Sequence, residues 1–173
     1  MHLDAGDAAL IQIVDSALAE AARLSGPWLV CRPGCTECCL GPFSINQLDA
    51  RRLRQGLAAL DASDRERAAR VRERARAYTE TDDEPCPALD PATGCCDLYA
   101  ARPLTCRTFG PPVRCGTDDV GVCELCFSGA TDDVIAACEV EIDPDGMEAE
   151  LLAALEAAGG LQEMTTVALT LAS

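Results

Sequence analysis

The chain has 173 residues, 49% of them hydrophobic, which is enough to bury a core without crosslinks, so one domain over residues 1–173 is the expectation. A net charge of −15, with no basic residue beyond Arg114, argues against a large nucleic-acid surface, and the absence of lysine excludes Schiff-base chemistry and a phosphate-loop lysine. The single histidine, His2, stands in an acidic segment expected to fray, which leaves mixed Cys/His zinc sites and His-activated nucleophiles without a partner in the fold.

No basic and apolar leader precedes Leu10, and no stretch approaches the roughly 20 apolar residues of a membrane span, so a cytoplasmic location is expected. Leu10, Val14, Ala17, Leu18, Ala21 and Leu24 recur at helical spacing, which predicts an amphipathic helix over 7–24 that ends at Ser25-Gly26-Pro27. Ser44-Ile45-Asn46-Gln47 has the form of a capping box with Ser44 as the cap, and a helix should follow to about Ala59. Ser63-Asp64-Arg65-Glu66 repeats the signal, and Ala68, Val71, Ala75 and Tyr78 then form one apolar stripe on an arginine-rich helix over 63–78. Nine of the fourteen arginines lie between Arg51 and Arg76. The simplest role for those of this helix is a solvated face, paired with acids toward the C-terminus; a docking surface for a protein partner is the sharper reading.

From Pro85 to Phe127 the chain is dense in Cys, Gly and Pro and reads as a loop-rich middle needing an internal crosslink. Asp97 to Ala101 suggests one helical turn stopped before Pro103, Thr131 to Ala137 a short helix, and Glu139 to Ile142 a short strand. Asp143 at an N-cap with Pro144 at the first helical position opens a helix through Leu151, Leu152 and Leu155 to Gly159-Gly160. Leu161 to Ala172 is a last apolar segment, helix or strand, so the C-terminal part over 143–172 reads as mainly helical.

Twelve cysteines need an explanation, and in a reducing compartment metal or redox chemistry is a better one than disulfides; the adjacent pairs Cys38-Cys39 and Cys95-Cys96 point the same way. Cys31, Cys35, Cys38 and Cys39 place four thiols within nine residues, separated by loops short enough to close at little entropic cost. The first three alone spell CxxxCxxC, the spacing that holds a cluster in radical S-adenosylmethionine enzymes, but this chain has neither the length nor the alternating pattern for their barrel. A second group comprises Cys86, Cys95, Cys96 and Cys106, with Arg102 and Arg107 available to offset thiolate charge or to pair with surface acids. A third set is Cys115, the CELC pair Cys123 and Cys126, and Cys138, which sits in an apolar stretch and should simply be buried.

The order CxxxCxxCC, then CPAL, then CxLYxxRPxxCRxF resembles the YkgJ-type cysteine-cluster (CxxCxxCC) family of zinc- or iron-chelating proteins, related to flagellin lysine N-methylase. The resemblance spans residues 31–126, and its most specific stretch is Cys96-Asp97-Leu98-Tyr99-Ala100-Ala101-Arg102-Pro103-Leu104-Thr105-Cys106-Arg107. It implies eight metal ligands: Cys31, Cys35, Cys38, Cys39, Cys86, Cys96, Cys106 and Cys123. The chain departs from the motif with three residues between Cys31 and Cys35, and with the additional Cys95, Cys115, Cys126 and Cys138.

The fold expected is mainly α, a small domain of about four to six helices around a cysteine-rich, metal-binding middle over 31–126. Sulfur-only ligation suits both zinc and iron. The excess of thiols over one tetrahedral site favours an iron–sulfur cluster, 4Fe-4S in type, in a structural or electron-transfer role, with zinc as the alternative. The methylase relation raises S-adenosylmethionine-dependent protein N-methyl transfer as a further alternative, although no GxGxxG loop is present.

Overall fold

The computed structural model describes residues 3–79, 81–115, 119–160 and 163–173. The expected fraying of His2 and the first residue of the last apolar segment, Leu161, lie outside the described residues. In chain order the elements are α1 (Leu3–Ser25), β1 (Ser44–Ile45), α2 (Gln47–Ser63), α3 (Arg65–Ala77), β2 (Leu89–Asp90), β3 (Cys95–Cys96) and α4 (Leu104–Arg107), then β4 (Val113–Cys115), β5 (Asp119–Gly121), α5 (Asp132–Cys138), β6 (Val140–Glu141), α6 (Met147–Ala157), β7 (Thr165–Thr166) and α7 (Val167–Ala172). The fold is mainly α with a few short strands, as expected. No described helix is long and apolar enough to cross a membrane.

Backbone contacts divide the chain into two compact units, each made of two separated stretches. The first comprises Met1–Arg32 and Leu104–Ala158, the second Pro33–Pro103 and Gly159–Ser173.

The first unit is organised by α1, whose Leu10, Val14 and Ala21 are buried at the predicted spacing. Helices α5 and α6 and strand β6 pack against it, with Leu151 and Val113 fully buried. Strand β4 is central in a three-stranded sheet, antiparallel to β5 and parallel to β6 with Val113 opposite Val140. The short helix and strand expected after Thr131 are α5 and β6. Helix α6 starts later than predicted: Asp143 stays outside the helix, yet its carboxylate accepts from the backbone N–H groups of Met147 and Glu148, each at 2.9 Å. The expected N-cap is thus displaced: Gly146 holds that position and Pro144–Gly146 form a loop, while the Asp143 carboxylate reaches the first turn from outside the helix.

The second unit packs α2, α3 and α7 around a core of Ile45, Leu53, Leu57, Val71 and Leu171. Burying each large side chain of this set is worth about 2 kcal/mol relative to exposure. Both predicted caps shift by a residue or two. Asn46, not Ser44, caps α2 by accepting from Asp49 N at 2.9 Å, because Ser44 is taken up in β1 opposite Thr166. Asp64, not Ser63, caps α3 by accepting from Arg67 N at 3.0 Å, while the Ser63 hydroxyl turns back to the Ala59 and Leu60 carbonyls. Helix α2 thus runs on to Ser63 rather than stopping near Ala59. Ala68, Val71 and Ala75 are buried as the stripe predicts. The final apolar segment is both strand and helix: β7 pairs with β1, and Thr166 then caps α7 through Leu169 N at 3.1 Å.

Candidate metal centre

The first cysteine-bearing turn of the second unit runs through Cys35 to a tight 3-10 turn over Glu37–Cys39, in which Cys39 N donates to Thr36 O at 2.8 Å. Beside it lies the segment carrying Cys86, whose N–H donates to Cys39 O at 2.7 Å, continued by an antiparallel bridge between Leu40 and Pro85. From there the chain folds into the β2–β3 hairpin, which sets Leu89 opposite Cys96 and Asp90 opposite Cys95. The Asp90 carboxylate accepts from Ala92 N at 3.1 Å and from the Thr93 hydroxyl at 2.8 Å, closing the turn. Gly94 approaches Gly34 so closely that a side-chain carbon there would stand 3.3 Å from Gly34 Cα, so the two cysteine loops meet glycine to glycine. The pleat sorts the neighbouring cysteines: Cys96 packs against the core together with Cys86, whereas Cys95 is exposed.

The hairpin is held from α3. The Asp97 carboxylate, with its side chain only 2% exposed, accepts from Arg67 through one oxygen and from Arg74 Nη2 at 2.5 Å through the other. Arg74 Nε also donates to Pro87 O at 2.8 Å, and Asp97 N donates to Ala88 O at 2.7 Å. The residues following Cys86 and Cys96 are thereby clamped to one helix. Three arginines of α3 are thus engaged within the unit, Arg67 and Arg74 with Asp97 and Arg72 with Asp61 at 2.8 Å, rather than with acids toward the C-terminus.

Cys39 feels the charges of Cys38, Cys86 and Cys96, and Cys86 feels that of Cys96. The Cys39 thiol donates to Cys38, which draws Cys38 down to about 6 against the burial that opposes it, with Arg102 helping. Cys39 is pushed up by the same hydrogen bond and by burial. Burial raises Cys86 to about 11 and raises Cys96 as well. The hydrogen bond thus favours the thiolate at Cys38, while burial favours the protonated thiol at Cys39, Cys86 and Cys96, where a cation would have to displace the proton. Arg102 sits 3.9 Å above the Tyr99 ring, a position that keeps its positive charge beside the sulfurs. Arg107, the other arginine expected at the thiolates, instead donates to Asp15 at 2.6 and 2.8 Å in the first unit.

The remaining predicted ligands belong to the first unit: Cys31, Cys106 on α4, and Cys123. Here the structure gives Cys31 a neighbour that the motif left out, since its Sγ lies 3.8 Å from Cys126 Sγ. Cys126 N donates to Cys123 O at 2.9 Å in the CELC turn, and both cysteines pack in a small cluster with Phe127, Cys138, Trp28 and Leu29. Cys138 is buried, as expected, and its thiol donates to Leu24 O at 3.5 Å. Phe127 adopts a left-handed backbone at φ 57, stacks on Trp28 with ring centroids 6.3 Å apart, and donates from its N–H to Trp28 O at 3.1 Å. That strained residue fixes the position of Cys126. The eleven cysteines whose side chains are described are unbridged.

A family model covers residues 30–126, more than half of the chain. The chain belongs to the CxxCxxCC family. The family carries the description "putative zinc- or iron-chelating domain", which supports metal binding by this chain. No curated protein and no solved structure matches the chain. Among the described residues no three His, Cys, Asp or Glu side chains already converge on one metal position. The donor chemistry nonetheless fits: soft sulfur ligands suit zinc and iron, and thiols left protonated by burial give up their protons as a cation arrives. Two features escaped sequence reasoning. The Arg67–Asp97–Arg74 clamp joins residues 23 and 30 positions apart, and its only signal was the aspartate directly after Cys96. Cys126 was visible only as half of a CxxC.

Proposed function

We propose that this CxxCxxCC protein holds an iron–sulfur cluster, 4Fe-4S in type, through thiolates of the second unit, in a structural or electron-transfer role. The observation that carries the reading is the scaffold that sets the Cys38–Cys39 turn beside the Cys86 segment and the Cys96 hairpin: the Cys86–Cys39 backbone bond, the close approach of Gly94 to Gly34 and the Asp97 clamp. With Cys35 the unit offers five thiols besides the exposed Cys95, enough for the four thiolates that a 4Fe-4S cluster takes. Bound there, a cluster would join the 3-10 turn to the hairpin and add its binding energy to the folding of the loops between them.

Anaerobic purification followed by iron, sulfide and zinc analysis and an absorption spectrum tests this. Iron and acid-labile sulfide in equal amounts, lost in Cys96→Ser, is the expected result. Stoichiometric zinc without sulfide in the same thiolates would overturn the cluster. The methyl-transfer alternative rests only on the motif's resemblance to the family that includes flagellin lysine N-methylase; it requires S-adenosylmethionine binding, and a flat calorimetric titration removes it.

A further inference from the structure

We propose that Cys31 and Cys126 of the first unit are a reversible redox pair. A low-molecular-weight disulfide, of the glutathione disulfide class, oxidises the two thiols to a Cys31–Cys126 disulfide, and the corresponding thiol reduces it again. The pair works through a bond between two sulfurs, needs no metal, and is independent of the cluster proposed for the second unit.

The two Sγ atoms lie 3.8 Å apart although the residues are 95 positions apart in sequence, so their meeting is the work of the fold. A disulfide needs about 2 Å between its sulfurs, so one Sγ has to move in by roughly 1.8 Å, a swing of the size that a turn about one Cα–Cβ bond gives. The chain segments that carry the pair are already tied to each other. Phe127, next to Cys126, donates from its N–H to Trp28 O at 3.1 Å, and the two rings stack with centroids 6.3 Å apart. Gly110 leaves room on the Cys31 side: a side-chain carbon there would stand 3.2 Å from Cys31 Sγ.

The two thiols differ in access, and that assigns their roles. Cys31 is exposed, whereas Cys126 is 3% exposed and packs with Phe127 and Cys138. A small disulfide in solution therefore meets Cys31 first, and Cys126 stands behind it as the resolving thiol. In the first step Cys31, having given up its proton, attacks one sulfur of the small disulfide; a mixed disulfide forms and one small thiolate leaves, taking up that proton. In the second, Cys126 gives its proton to solvent, its sulfur attacks Cys31 Sγ, and the second small thiolate leaves and is protonated. Two protein thiols have then lost two electrons and two protons, and one small disulfide has become two thiols. Cys138 takes no part, because its thiol is turned to Leu24 O. Cys31 adjoins Arg32, where the chain leaves the first unit, so the bond fastens that exit to the CELC turn.

The test uses the full chain, purified anaerobically and equilibrated with graded ratios of reduced to oxidised glutathione, then alkylated and mapped as peptides without reductant. A cross-linked peptide joining Cys31 to Cys126 should appear as the ratio falls and disappear when it is raised again. Cys126→Ser should instead trap glutathione on Cys31. Cys31→Ser should give no cross-link and leave Cys126 unmodified; Cys31 is exposed, so this variant is expected to fold even if the buried Cys126→Ser does not. The proposal is overturned if no cross-link forms in the unaltered protein, if the bond found joins Cys123 to Cys126, or if Cys31 keeps its glutathione with Cys126 present. Iron, sulfide and zinc are measured on the same samples. Their absence would sink the cluster reading without touching this one, and a missing cross-link in protein with its full cluster would do the reverse.

Discussion

The thiols of the second unit lean on a substantial core, with Cys86 and Cys96 packed against the cluster that includes Leu53, Val71 and Leu171. Those of the first unit's CELC turn lean on a cluster whose fully enclosed members are only Cys126, Phe127 and Cys138, joined by Trp28 and Leu29. The contrast shows two ways to gather sulfur. In one, helices, a hairpin and a buried ion pair hold the ligands before any metal arrives. In the other, irregular chain is drawn together where the left-handed Phe127 stacks on Trp28 and bonds to its carbonyl.

Four measurements break or sharpen that contrast. The largest effect is expected from reducing the Cys31–Cys126 bond of oxidised protein: amide exchange around Cys123–Phe127 should quicken at least tenfold, while the buried turns of α2 and α3 change little. Equal loss in both regions would erase the distinction. Asp97→Ala leaves Arg67 and Arg74 without their shared carboxylate and should cost about 3 kcal/mol in chemical denaturation, the lower end for breaking a buried pair because both arginines keep some solvent. A loss well below about 1 kcal/mol would show that the clamp is not what fixes the hairpin.

Gly56→Ala comes next. Helix propensity alone would favour alanine by up to about 1 kcal/mol, but its Cβ would lie 2.2 Å from Ala101 Cβ, pushing α2 away from the Leu98–Arg102 segment. A net destabilisation of about 2 kcal/mol is expected, mostly recovered when Ala101→Gly is added. The smallest effect is assigned to Arg102→Gln, below about 1 kcal/mol in thermal unfolding, since Tyr99 is 66% exposed and the cation–π contact is partly solvated.

Helix α1, the stripe of α3 and the short α5 and β6 were legible because apolar periodicity is a local property of the chain. The caps were legible only as chemistry: in each case a side chain of the expected kind is present near the start, but strand pairing at Ser44 and the loop after Asp143 moved the helix boundary. The cysteine groups were legible as ligands by type and not by partner. Spacing placed Cys31 with Cys35 to Cys39, while the fold gives Cys31 to the first unit and Cys126. The three-residue gap after Cys31, where the chain departs from the family spacing, lies where one unit ends at Arg32 and the next begins. The Asp97 clamp could not be read at all, because an arginine that pairs inward and one that faces water look the same in sequence.

The pairing of β1 with β7 has a consequence for how the protein is made. Residues 44–45 wait for residues 165–166, and the core of α2 and α3 stays open until α7 arrives. On a ribosome emitting residues in order, the first unit has its last stretch once Ala158 is out, whereas the second leaves Leu53, Val71 and its cysteines uncovered for the time it takes to add α7. The unit with the better core is therefore the later to be sealed.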